Sequence, residues 1–144
     1  PRAATTDMAR AQAAALAALG ARRVSLLTPY IRELADANAR MLTARAGVEV
    51  VRRATMGLDR DELTSAVDAR TSAASARAVD CEAADAVVVG CAAGRAAGSG
   101  CIDELEAALG KPVVTSTQAF MWSMLRMAGV RDRIGGYGAL FSRC

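Results

Sequence analysis

Residues 85–95, reading Asp-Ala-Val-Val-Val-Gly-Cys-Ala-Ala-Gly-Arg, constrain the fold of this chain more than any other stretch. Residues 86–89 are apolar and mostly β-branched, set between an acid and a glycine. That pattern predicts a strand buried on both faces, as in a parallel sheet, rather than a helix. The run ends at Gly90 and Cys91, and only small residues follow. Nothing bulky would cover the thiol, and a ligand would approach the backbone N–H groups of Ala92, Ala93 and Gly94 closely. Ligands in open α/β sheets bind where strands end, which makes Cys91 a candidate catalytic residue. A free cysteine also serves as a small buried hydrophobe, and the position alone is compatible with either role.

The rest of the chain supplies the other layers of such a fold. Thr5, Thr6 and Asp7 are N-cap candidates for an alanine-rich helix running to Gly20. Residues 24–27 predict a first strand that exits through Thr28-Pro29-Tyr30. A helix over 31–45 would place Ile31, Leu34, Asn38, Met41 and Leu42 near one face, and residues 48–51 predict a second strand. The segment 52–70 is the least legible, with a short helix expected over 59–67. Thr71 or Ser72 would cap a helix to Glu82, leading into the strand at 86–89. An amphipathic helix over 102–109 ends at Gly110, and residues 113–115 form a fourth strand. A Met-rich helix with Met121, Trp122, Met124 and Met127 follows over 119–128.

Strands alternating with helices predict an α/β fold with right-handed crossovers. The expectation is a flavodoxin-like three-layer lobe, residues 1–144, with a four-stranded parallel sheet in the order 2-1-3-4. In that order strands one and three are neighbours whose helices leave to opposite faces, opening a crevice at their carboxyl ends. Tyr30, Cys91 with Ala92 and Ala93, and Ser116 with Thr117 would converge there. Tyr30 offers a phenolic donor. Ser116 and Thr117 combine hydroxyls with a helix N-terminus, which suits an anion such as a carboxylate as well as plain capping. Gln118 would complete a cap or touch a ligand.

The residue types that are missing exclude several functions. The chain has no His, so it holds no Ser-His or Cys-His pair and lacks the commonest metal ligand. The four cysteines have no zinc spacing, and Gly94, Gly98 and Gly100 do not make a dinucleotide fingerprint. Lys111, beside Pro112, is poorly placed for a Schiff base, so no cofactor and no metal are expected. Charges are interspersed and aromatics few, which argues against nucleic acid. No apolar run spans a bilayer, and the cysteine pattern fits a reduced, cytoplasmic setting. A thiol beside anion-binding donors suits proton exchange next to a carboxylate, or thiolate addition to an activated double bond.

Leu26-Leu27-Thr28-Pro29-Tyr30, Gly57-Leu58, Ala84-Asp85-Ala86, Ile102-Asp103-Glu104-Leu105-Glu106, Leu109 to Val114, Ser116-Thr117-Gln118-Ala119 and Gly136-Tyr137-Gly138, in that order, resemble the aspartate/glutamate racemase superfamily, and within it the branch of maleate cis–trans isomerases and arylmalonate decarboxylases. The resemblance covers the second half of a typical member, whose two similar lobes enclose the active site. It implies a cofactor-independent isomerase, racemase or decarboxylase of a small carboxylic acid. In that reading Cys91 is the second-lobe nucleophile or proton donor, Tyr30 binds a carboxylate, the backbone at Ala92 and Ala93 holds an oxyanion, and Ser116 and Thr117 line the pocket. The missing first lobe would lie in the same protein or be replaced by a second copy, with the tail over 130–144 (Ile134, Tyr137, Leu140 and Phe141) and the Met-rich helix docking on it. Many relatives have Thr where Ala92 stands, and maleate isomerases often carry Asn near Asp61, where an acid would repel a dicarboxylate. The alternative is a catalytically incompetent lobe that acts as a binding or assembly module.

Overall fold

A computed structural model describes residues 4–91 and 100–144. Four strands, β1 (Arg23–Tyr30), β2 (Glu49–Leu58), β3 (Ala86–Val89) and β4 (Val113–Thr115), form one parallel sheet in the order β2-β1-β3-β4. This is the predicted order. Its cause is visible in burial: all four residues of β3 and all three of β4 are buried, so these strands need a layer of helices on each side. Alternation then sorts the side chains between two cores. Val24, Leu26, Ala86, Val88 and Val114 face α1 (Met8–Ala18), α2 (Arg32–Ala46) and α6 (Ser116–Met127). Leu27, Val87, Val89 and Val113 face α4 (Ala69–Val79) and α5 (Cys101–Leu109).

Helix starts and stops follow local chemistry. Asp7 caps α1 by accepting from the Arg10 N–H at 2.8 Å, and Gly47 and Gly110 close α2 and α5 in the left-handed conformation. Asp68, rather than Thr71 or Ser72, caps α4. β2 runs seven residues past the expected end at position 51, because it is an edge strand: its polar Arg52, Arg53 and Thr55 face solvent, so an apolar run does not mark it. The short helix of the least legible segment is α3 (Asp61–Ala66). On α2 the buried stripe is Ala35, Ala39 and Leu42, and Leu34 stands 53% exposed. Alanine lets the helix approach the sheet, and that rotates the larger Leu34 outward.

Three charged groups pin the amino end of the sheet. The Asp85 carboxylate accepts from the N–H groups of Arg22 and Arg23 at 3.0 and 2.8 Å, which hold its carboxyl below the usual carboxylate range. Lys111, the one lysine in the chain, donates to the carbonyls of Cys81 and Ala84 and pairs with Asp80, each at 3.0 Å. Glu106 accepts from the Val113 and Ala139 N–H groups at 2.8 and 2.7 Å. Its burial outweighs these bonds and raises its carboxyl above the ordinary value.

The tail folds onto its own lobe. α7 (Gly138–Arg143) buries Leu140 and Phe141 in the core with Trp122, and the indole N–H of Trp122 donates to the Cys144 carbonyl at 3.2 Å. The expectation that Leu140 and Phe141 form a docking surface is therefore not what the fold does with them. Met121, Met124 and Met127 remain exposed on α6. No helix among the described residues is long and apolar enough to cross a membrane.

Gly138 has φ +79°, and a Cβ there would lie 2.6 Å from Ile102 Cγ2 and 2.8 Å from Glu106 Oε1. Gly138→Ala combines left-handed strain with overpacking and is expected to cost about 2–4 kcal/mol in urea unfolding. A loss below about 1 kcal/mol, within the range of ordinary surface changes, would show that α7 is not held this tightly.

Candidate functional site

The site follows from unequal strand lengths. β1 pairs with β3 from Val24 opposite Ala86 to Leu27 opposite Val89, and there β3 ends. β1 continues against β2 alone, with Thr28 opposite Thr55 and Tyr30 opposite Leu58. The Thr55 hydroxyl donates to the Tyr30 carbonyl and fixes the end of this overhang. Past β3, the Gly90 N–H extends the ladder by one bond to the Leu27 carbonyl at 2.8 Å, and the Cys91 N–H turns back to the Val89 carbonyl at 3.0 Å. α2 leaves β1 toward one face of the sheet and α5 leads from β3 along the other. Tyr30 and Cys91 thus flank the point where the chain reverses direction across the sheet, which is where α/β folds place ligands.

Cys91 is a free thiol, 5% exposed, and it borders a narrow hollow with Leu27, Pro29, Met56, Thr64, Val67, Ser72 and Val89. Tyr30 meets it from the end of β1. Burial pushes the Tyr30 phenol up to about 12, helped by its hydrogen bond with the Cys91 sulfur and by the Asp61 carboxylate. The phenol is therefore a neutral O–H donor over the whole range in which enzymes work, beside a polarisable nucleophile. Asp61 opens α3, one turn before Thr64 of the hollow, and its carboxylate is near enough to act on the Tyr30 phenol.

The other expected site residues lie elsewhere around the sheet end. Ser116 is buried in the first turn of α6, and its hydroxyl accepts from Gln12 of α1 at 3.0 Å. Thr117 borders an apolar groove with Met121, Leu125, Ile134, Tyr137 and Phe141. Gln118 is structural: it completes a capping box with Thr115 and donates to the Tyr137 carbonyl at 2.7 Å. Ala92 and Ala93 lie outside the described residues. Sequence reasoning missed Thr64, in the six-residue α3, and Val67, the extended residue that ends it, because so short a helix shows no clear period.

Comparisons with known proteins bear on the fold and the family. The family model for arylmalonate decarboxylase matches residues 3–141. The arylmalonate decarboxylase of Bordetella bronchiseptica is 34% identical over 138 residues, covering 94% of this chain and 57% of that protein. The structure of a maleate cis-trans isomerase from Nocardia farcinica, bound to TRIS, superposes with a TM-score of 0.85 at 26% identity, over 92% of this chain and 53% of that one. A variant of the maleate isomerase Iso from Pseudomonas putida S16, with maleate, gives 0.84 at 26% identity, over 94% and 53%. The chain therefore spans little more than half the length of these relatives.

If the phenol and thiol act as a pair, Tyr30→Phe should slow carbamidomethylation of Cys91 by iodoacetamide at neutral pH several-fold, while Cys81 and Cys101 react as before. Peptide mass spectrometry reads each rate separately, and an unchanged Cys91 rate would mean that the hydroxyl does nothing for the sulfur.

Proposed function

Because the chain belongs to the arylmalonate decarboxylase family, we propose that it is the cysteine-bearing lobe of a cofactor-independent isomerase, racemase or decarboxylase of a small carboxylic acid. The observation that carries this reading is the Tyr30–Cys91 pair at the open end of the sheet. Tyr30 donates its O–H to a substrate carboxylate and draws electron density from the adjoining carbon. Cys91 then acts in one of two ways. As a thiolate it adds to an activated double bond, leaving a single bond that rotates before the thiolate departs. As a thiol it delivers its proton to the carbanion that remains after loss of carbon dioxide or of a proton. In either case charge builds up on a carboxylate oxygen, and donors already in place stabilise it without reorganising. The backbone at Ala92 and Ala93 would supply further donors, whereas Ser116, bonded to Gln12, and Thr117, on a separate apolar groove, take no direct part.

The partner in this reading is a first lobe, in the same protein or supplied by a second copy. The half-length match to relatives supports it, as do the exposed Leu34 and Leu63 and the exposed Met121, Met124 and Met127 on α6. Enclosure by that lobe would exclude water and strengthen every donor at Cys91. Asp61 bears on the substrate: a carboxylate near the Tyr30 phenol disfavours a second negative charge, so an acid with a single carboxylate or with a cationic group fits better than maleate.

Incubating the full-length protein with maleate, an arylmalonate and D- or L-aspartate in deuterated water, followed by NMR, tests the reading. Cys91→Ser should lower turnover at least ~100-fold while the fold persists, since serine is a far weaker nucleophile and acid. Undiminished turnover by Cys91→Ser would refute it, and no turnover of any acid by the wild type would favour the incompetent-lobe alternative. Asp61→Asn should raise kcat/KM for a dicarboxylate about tenfold by removing the repulsion. A gain of the same size for a monocarboxylate would show that charge is not the cause.

A further inference from the structure

α2 turns Ala35, Ala39 and Leu42 toward the sheet, and Asn38 stands within that stripe, one turn from Ala35 and from Leu42. Its Nδ2 donates to the Gly90 carbonyl at 3.5 Å, while its Oδ1 is buried with no partner among the described residues. Thr28, fully buried on β1, likewise has an Oγ1 without a partner. Both side chains press on Gly90: a Cβ there would lie 3.0 Å from Asn38 Nδ2 and 3.3 Å from Thr28 Cγ2. Gly90 has no positive φ, so glycine is needed here for space rather than for conformation.

A carboxamide in an apolar helix stripe, with its own oxygen unpaired, is a poor structural choice, because an aliphatic side chain would fill the place without desolvating a polar atom. What it supplies instead is a donor to the carbonyl of the peptide that carries Cys91. At 3.5 Å the bond is long, as bonds in catalytic sites often are before substrate tightens them. We propose that Asn38 is a positioning residue. By holding the Gly90 carbonyl it orients the Gly90–Cys91 peptide and so sets the thiol against the Tyr30 hydroxyl. This rests on Cys91 being the working thiol.

The test uses the full-length protein with the acid it turns over best. Asn38→Leu keeps the volume and the helix but removes the donor, and Asn38→Asp keeps the shape but presents an acceptor to the Gly90 carbonyl. Both should lower kcat by about tenfold or more, with KM changed less than about twofold, since misplacing a reacting group costs rate more than binding. Both should also slow carbamidomethylation of Cys91 by iodoacetamide. Gly90→Ala drives a methyl onto Asn38 Nδ2 and should lower kcat too, and combining it with Asn38→Leu should be no worse than the poorer single variant, because both break one contact. Additive losses would overturn the proposal, as would lowered melting temperatures with kcat and the Cys91 rate intact. If Asn38→Leu does not fold, Asn38→Asp decides on the same two readings. Cys91→Ser, run alongside, separates the levels: retained turnover there sinks both the functional reading and this one, whereas lost turnover there with active Asn38 variants sinks this one alone.

Discussion

Everything at the open end of this lobe depends on β1 outlasting β3. The two strands share four paired rows, and then β1 goes on for three residues with only β2 beside it. Had β3 kept pace, Gly90 and Cys91 would be ladder residues, with their side chains alternating into the two cores. Because β3 stops, Cys91 is released into a turn closed by its own N–H, and Tyr30 overhangs it from the neighbouring strand. A thiol and a phenol from segments some sixty residues apart thus meet without any loop having to find the geometry.

This end of the sheet is less well satisfied than the rest of the lobe. Thr28 Oγ1 and Asn38 Oδ1 are both buried with no partner among the described residues, and such groups cost roughly 1–3 kcal/mol each. The deficit is offset by a dense apolar interior in which Val24, Leu26, Val87, Val88, Val113 and Val114 are fully enclosed, each such side chain stabilising by about 1.5–3 kcal/mol. The sheet's two ends therefore differ, with buried polar groups short of partners beside Gly90 and tight ionic anchoring at the other.

How much of this was legible in the sequence depends on how each element is buried. β3 and β4 are enclosed on both faces, so their apolar runs marked them to the residue. β2 is an edge strand with a solvent-facing row of Arg52, Arg53 and Thr55, and its second half carried no such signal. That Tyr30 and Cys91 lie near one another was legible because the strand order determines which strand ends are neighbours. The role of Ser116 was harder to read, because its partner, Gln12, is 104 positions away on a helix whose packing against α6 no local pattern reports. The tail misled for a similar reason. Leu140 and Phe141 are apolar in a glycine-rich stretch, and only the two N–H bonds from Gly138 and Ala139 to the carboxylates of Asp103 and Glu106 show that they turn inward.

The amino end of the sheet is pinned by Asp85 on two backbone N–H groups, by Lys111 beneath the carbonyls before β3, and by Glu106 at the start of β4. None of these residues borders the hollow beside Cys91. The contacts that thread the sheet and the side chains that line the hollow are thus written in different parts of the chain. Met56, Thr64 or Val67 can be exchanged one at a time, reshaping the hollow, while the threading of the strands stays under separate control. A frame divided in this way can change what its hollow admits without rewriting how it folds.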